Sequence, residues 1–153
     1  MRGLELEVIW FDRDAIEYQV VCSEGSFTGT AKMYLSHDGL QNAANTLSGF
    51  PYSTTDLREV ELGTFESGMA GGGIRISFYW VDSVGHAVAF VKLMADGCNG
   101  FGEPQFVSLH VPVEAGAIDS FVTQARSIGE TEGAKAYLHM ADHTLGWVRK
   151  ALA

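Results

Sequence analysis

The chain has 153 residues, enough for one ordinary domain that buries roughly two-thirds of its unfolded surface. Nineteen Asp and Glu residues against ten Lys and Arg residues give a net charge of −9, which repels phosphate backbones and argues against nucleic-acid binding. No apolar run approaches the roughly 18 residues that a membrane span needs, and the amino terminus lacks the parts of a signal peptide. We therefore expect a cytoplasmic protein without membrane association.

The first half of the chain predicts a three-stranded meander followed by a helix. Apolar and polar residues alternate over Leu4–Val8, Ile16–Cys22 and Phe27–Leu35, a pattern typical of strands with one buried face. Ser36 or Asp38 can cap the helix that follows. Its apolar stripe is formed by Leu40, Ala43, Ala44 and Leu47.

The second half repeats this order. A short strand over Glu59–Leu62 precedes the strongest strand signal, Ile74–Trp80, and Asp82–Gly85 has the composition of a hairpin loop before a returning strand over His86–Leu93. Phe106–Val111 predicts another strand.

Two helices are predicted after that strand. Pro112 suits the first turn of a helix whose apolar face includes Ile118, Phe121 and Val122. In the tail over 134–153, Leu138, Ala141, Leu145 and Val148 have helical spacing, which predicts a short final helix.

These elements indicate a single α+β domain over 1–153. We expect an antiparallel sheet of about six or seven strands with two or three helices packed on one face. The similar order over 15–50 and 74–128 suggests a duplication, although any meander followed by a helix would look alike.

No cluster in the sequence has the spacing of a known metal or phosphate site. His139 and His143 would share one helix face, but no third ligand is evident and Met140 stands where an HExxH motif needs Glu. The glycine-rich stretch Gly68–Gly73 leads into a strand, whereas a phosphate loop opens a helix. We therefore predict no metal and no cofactor, and an inter-strand loop at the glycines.

The remaining candidates for chemistry are isolated. His86 or His110 could act as a base beside an acidic residue, which leaves open a small-molecule binder or hydrolase with a pocket between sheet and helices. Cys22 lies on an apolar strand face and is expected in the core, while Cys98 lies in a glycine-rich loop. Two cysteines are too few for a disulfide framework, so both are expected to be reduced.

Several short motifs resemble the WapI-type bacterial immunity proteins, a family that neutralises a toxin made by the same cell or its kin. They cover most of the chain before Gly129. The matching stretches are Gly25–Gly29, Leu47–Pro51, Gly73–Phe78, Gly85–His86, Val113–Glu114 and Ile118–Phe121.

The resemblance implies a non-enzymatic protein that binds a protein partner, in which acidic groups meet a basic toxin surface. Pairing of strand edges into a homodimer is a further possibility. From their polarity and predicted loop positions, the candidate contacts are Asp12, Asp14, Glu24, Asp56, Glu59, Glu61, Glu66 and Asp82.

Overall fold

The computed structural model describes residues 1–66, 71–96 and 102–142, which form two four-stranded antiparallel sheets and two helices. The predicted α+β class is confirmed. In chain order the elements are β1 (Gly3–Phe11), β2 (Ile16–Ser23), β3 (Thr28–Leu35), α1 (Gly39–Leu47), β4 (Leu57–Gly63), β5 (Gly73–Trp80), β6 (His86–Ala95), β7 (Gln105–Glu114), α2 (Ala115–Ser127) and β8 (Lys135–His139).

Both halves of the chain have the same topology. Each begins with a three-stranded meander, continues into a helix and ends with a fourth strand that pairs with the first strand of the other half. Sheet 1 therefore has the order β3-β2-β1-β8, and sheet 2 has the order β7-β6-β5-β4. The prediction of one sheet with six or seven strands is wrong, because the crossing strands β4 and β8 divide the strands evenly between two sheets.

The segment Lys135–His139 is a strand, so the predicted helix over 134–153 is wrong at its start. Leu4 lies opposite Leu138 and Leu6 opposite Ala136, and both partners are buried at period-2 spacing. The rest of that prediction, 143–153, lies outside the described residues. Pro112 is likewise in β7 and not in α2, which begins at Ala115.

Glycines allow β3 to cross the end of sheet 2 at short range. A Cβ atom on Gly29 would lie 2.4 Å from Val107 Cγ1, and one on Gly72 would lie 1.9 Å from the Met94 carbonyl oxygen. The Gly72 N–H donates to the Lys32 carbonyl over 2.7 Å. The described part of the predicted glycine-rich loop, Gly71–Gly73, is therefore a buried contact between the sheets.

The core lies between the sheets and the two helices, which contact each other. The predicted apolar faces of both helices are buried, and each large apolar side chain placed there contributes about 1.5–3 kcal/mol. Burial raises the pKa of the Cys22 thiol to about 12, so Cys22 serves as a core residue, as predicted. Cys98 lies outside the described residues.

Candidate partner-binding surface

Three connections meet at one end of sheet 1 and enclose an open cleft. They are the turn between β1 and β2 (12–15), the connection between β3 and α1 (36–38) and the connection between α2 and β8 (128–134). The cleft has a volume of about 480 Å³ and is lined by Phe11, Asp12, Arg13, His37 and Glu130. The three connections lie together because neighbouring strands of sheet 1 are antiparallel, so the ends of β1 and β3 lie at the same edge as the starts of β2 and β8.

Asp12 shapes the turn that forms one wall of the cleft. Its Oδ1 accepts hydrogen bonds from the backbone N–H groups of Asp14 (2.8 Å) and Ala15 (2.9 Å). The bonds from Ala15 and Asp14 lower the pKa of Asp12 because they stabilise its charged form. Asp12 therefore carries a negative charge at the cleft while it stabilises the turn.

A histidine–carboxylate pair joins the other two connections. His37 Nδ1 is hydrogen-bonded to Glu130 Oε1 across 93 residues of sequence. This bond is the main cause that raises the pKa of His37; desolvation opposes it, and backbone groups of Asp12 and Arg13 support it. Asp38, at the N-cap position of α1, makes no capping bond with its side chain, which accepts from the Ser36 hydroxyl over 2.8 Å.

Two exposed carboxylates, Asp12 and Glu130, line the cleft, and further exposed carboxylates belong to the same three connections. Trp10 lies at the same end of β1 and is 45% exposed. Large amphipathic rings of this kind are frequent energetic centres of protein interfaces. We call this surface the acidic end and define its carboxylates as Asp12, Asp14, Asp38, Glu130 and Glu132, all of which belong to exposed residues.

Two of the eight predicted contact residues, Asp12 and Asp14, belong to the acidic end. Glu24 lies in the β2–β3 turn at the opposite end of sheet 1, where its Oε1 accepts the N–H groups of Ser26 and Phe27, both at 2.7 Å. Asp82 lies in the β5–β6 hairpin and accepts the Val84 N–H at 2.9 Å. These carboxylates stabilise their own turns.

The other four predicted residues lie on or beside β4. Asp56 pairs with Arg58 at 2.9 Å and is mostly buried. Glu59 and Glu61 extend from the outer face of β4 on either side of Arg75, which is 2.9 Å from Glu61 and 3.8 Å from Glu59. Glu66 is exposed in the segment after β4. The eight residues thus do not form one continuous surface.

Sequence reasoning missed the contribution of Asp38, Glu130 and Glu132 to a site. The pairing of His37 with Glu130 has no local signal, because it depends on where α2 ends relative to β3. Trp10 is in phase with the buried Leu4, Leu6 and Val8 in the sequence, but it is exposed in the structure, where the pairing of β1 with β2 shifts register between Val8 and Trp10.

The histidines of the alternative enzymatic prediction lie elsewhere. His86 Nδ1 is 2.7 Å from Asp82 Oδ2 at the end of a hairpin, not between sheet and helices. His110 stacks on Phe90 with ring centroids 4.4 Å apart. It lines a groove with Glu24, Ser26 and Ser108, but within the described part of the chain none of these side chains hydrogen-bonds to His110, as a base and its nucleophile would.

The predicted helical pairing of His139 with His143 is wrong for His139, which lies in β8 and stacks on Tyr137; His143 is outside the described residues. Across residues 1–66, 71–96 and 102–142, no three His, Cys, Asp or Glu side chains are placed to hold a metal ion. In the same ranges, no helix combines the length and apolar character of a membrane span.

No family model, curated protein or solved structure matches this chain. Geometry and charge therefore carry the functional argument.

Proposed function

We propose that this protein binds a basic protein partner through the acidic end, as an immunity-type protein binds and neutralises a toxin. The observation that supports this proposal is that exposed carboxylates from three separate connections, and the exposed Trp10, belong to the end of sheet 1 that holds the open cleft. The net charge of −9 supports it further, since a field of this sign speeds the encounter with a basic surface.

The arrangement resembles the anatomy of known interfaces. Aromatic residues near the centre of an interface supply most of the binding energy, and charged groups at the rim set the association rate and its salt dependence. Trp10 fits the first role. Asp14 and Glu132 fit the second, because both residues are exposed and their carboxylates accept no hydrogen bond in the described structure.

The test requires a toxin-domain gene adjacent to the gene for this protein, and the product of that gene is the candidate partner. Kd is measured by calorimetry for the wild type and for Trp10→Ala, Asp14→Lys and Glu132→Lys. We expect each change to weaken binding by about tenfold or more, which corresponds to about 1.4 kcal/mol. Co-expression should protect cells from the toxin, and the variants should protect less.

Glu66→Lys is the matched control, because it changes the net charge by the same amount at an exposed site after β4. We expect it to weaken binding only through the long-range field, by a few-fold at low salt and less at high salt. Equal weakening by Glu66→Lys and Asp14→Lys would refute the location of the interface. Absence of both binding and protection would refute the function.

A further inference from the structure

The His37–Glu130 pair is the contact that spans the cleft. His37 belongs to the connection that enters α1, and Glu130 belongs to the connection that leaves α2, so their hydrogen bond ties together segments that are 93 residues apart. The His37 side chain is 31% exposed and that of Glu130 is 50% exposed. The bond is therefore accessible to solvent and to protons.

A second, smaller pocket, also partly open to solvent, lies beside this pair. It has a volume of about 120 Å³ and shares His37 and Glu130 with the open cleft as lining residues. Its other walls are mainly apolar or uncharged near β2 and the helices, and they come from Ile16, Tyr18, Leu40, Gln41, Ala125, Arg126 and Gly129. The pair thus lies between the open cleft and a smaller pocket that is itself partly open to solvent.

Titratable or charged side chains surround His37 from every element that lines the two pockets with it. They belong to the β1–β2 turn, to β2, to the end of α2 and to the connection of His37 itself: Asp12, Arg13, Tyr18, Arg126 and Asp38, in addition to Glu130. Arg126 is engaged by Asn45, whose Oδ1 accepts from Nη2 over 2.9 Å. Tyr18 is buried and its pKa is raised to about 12 by burial, so it stays neutral.

We propose that the His37–Glu130 pair is a pH-sensitive clasp, tightest when the imidazole is protonated and loosened when it loses its proton, so that the smaller pocket and the cleft merge. The protonated ring forms an ion pair with the carboxylate, whereas the neutral ring keeps only the hydrogen bond that its Nδ1–H can donate, so loss of the proton weakens the contact. The opened cleft has an apolar floor at Ile16 and Leu40 and a charged mouth at Asp12 and Arg13. This proposal goes beyond partner binding and concerns access to the same cleft.

The direction of the pH effect follows from the raised pKa of His37, for which the bond to Glu130 is the largest cause. The clasp is fully formed below the usual His range, near pH 6.5, and is lost as the pH rises through the higher value of the folded protein. Raising the pH should therefore loosen the two connections without unfolding the sheets.

The experiment follows the His37 ring by NMR and the backbone by hydrogen exchange between pH 5 and pH 9. No partner is needed, so its outcome is separate from that of the proposed function. In the wild type, we expect exchange over 36–41 and 128–133, corrected for intrinsic base catalysis, to accelerate severalfold as His37 deprotonates. In Glu130→Gln, the titration midpoint of His37 should fall and both segments should exchange fast throughout the pH range.

His86→Gln is the matched control because it removes the other histidine–carboxylate pair of the described structure, which lies in the β5–β6 hairpin. It should leave the His37 midpoint and both exchange profiles unchanged. An unchanged His37 midpoint in Glu130→Gln would overturn the clasp. Exchange over 36–41 and 128–133 that follows the intrinsic rate alone in the wild type would overturn it as well.

Discussion

The two hairpins that begin the two halves of the chain are built alike but lie in different surroundings. Each turn begins with an aspartate that accepts backbone N–H groups, Asp12 in the first and Asp82 in the second. Asp12 faces an open cleft whose other walls come from distant connections, whereas Asp82 pairs with His86 four residues away.

The cause of this difference is the junction between the third strand and the helix of each half. In the second half, β7 ends at Glu114 and α2 begins at the next residue, and the Ala115 N–H donates to Gly85 and closes the hairpin end. In the first half, residues 36–38 separate β3 from α1 and place His37 over the turn. Three added residues thus place a cleft beside the hairpin turn of the first half, where the described hairpin end of the second half is closed by the bond from Ala115 to Gly85.

The two halves contact each other where β3 crosses the end of sheet 2, and this contact should be the most sensitive to mutation. In Gly72→Ala, the new methyl group would lie 1.9 Å from the Met94 carbonyl oxygen. This oxygen is part of the backbone of β6, so it cannot move aside as the end of a flexible side chain can. We expect a loss of about 3 kcal/mol or more in the free energy of unfolding, measured by urea denaturation.

Gly116→Ala is the control for that change, since a methyl group there meets nothing within 4 Å in α2. It should stabilise the protein by about 0.4–1 kcal/mol. Similar stability of the two variants would show that the crossing is looser than the distances indicate.

A smaller effect is expected from the two turn aspartates. Backbone bonds from Ala15 and Asp14 lower the pKa of Asp12; for Asp82 desolvation acts in the opposite sense, but the Val84 N–H and His86 outweigh it. Both carboxylates therefore stabilise the fold above about pH 3.9, and this contribution is lost as the pH falls through their lowered values.

Asp12→Asn and Asp82→Asn should each lower the Tm by a few degrees at pH 7. Thermal melts between pH 7 and pH 2 should show each difference from the wild type shrinking in acid. A difference that persists at pH 2 would assign the effect to the amide itself and not to the lost charge. If only Asp12→Asn changed hydrogen exchange over 36–41, the contrast between the two turns would be sharpened.

The smallest effects are expected on the outer faces of the sheets, where each sheet holds one cation beside two glutamates. Lys135 is 3.4 Å from Glu5 in sheet 1, and Arg75 is 2.9 Å from Glu61 in sheet 2. Because these pairs are exposed, Arg75→Met should change the free energy of unfolding by about 1 kcal/mol or less, and Lys135→Met should lower the Tm only slightly. A larger loss in Arg75→Met alone would point to its contact with the Phe65 ring, 4.8 Å away.

Most of the individual elements could be predicted from local patterns. The meander of β1 to β3, the hairpin at Asp82–Gly85 and the buried faces of both helices follow from period-2 and helical spacing, which depend on neighbouring residues alone. β8 was mistaken for a helix because Leu138 and Ala141 fit a helical spacing, while Ala136 and Leu138 fit a strand equally well. Only pairing with β1 decides between them.

The candidate site could be predicted much less well than the elements. Its acidic character is visible in the composition, and Asp12 and Asp14 were identified from their turn. Glu130 and His37 could not be matched, since no pattern relates residues so far apart in the chain.

Taken alone, the order of residues determined the α+β class, the positions of most strands, the two amphipathic helices and the negative charge, because these depend on short-range periodicity and on counting. The tertiary structure decided which strands share a sheet, why Gly72 must lack a side chain, and that His37 meets Glu130 beside Asp12. These features arise when segments distant in sequence pack together, and packing is decided by the shape and burial of the whole domain.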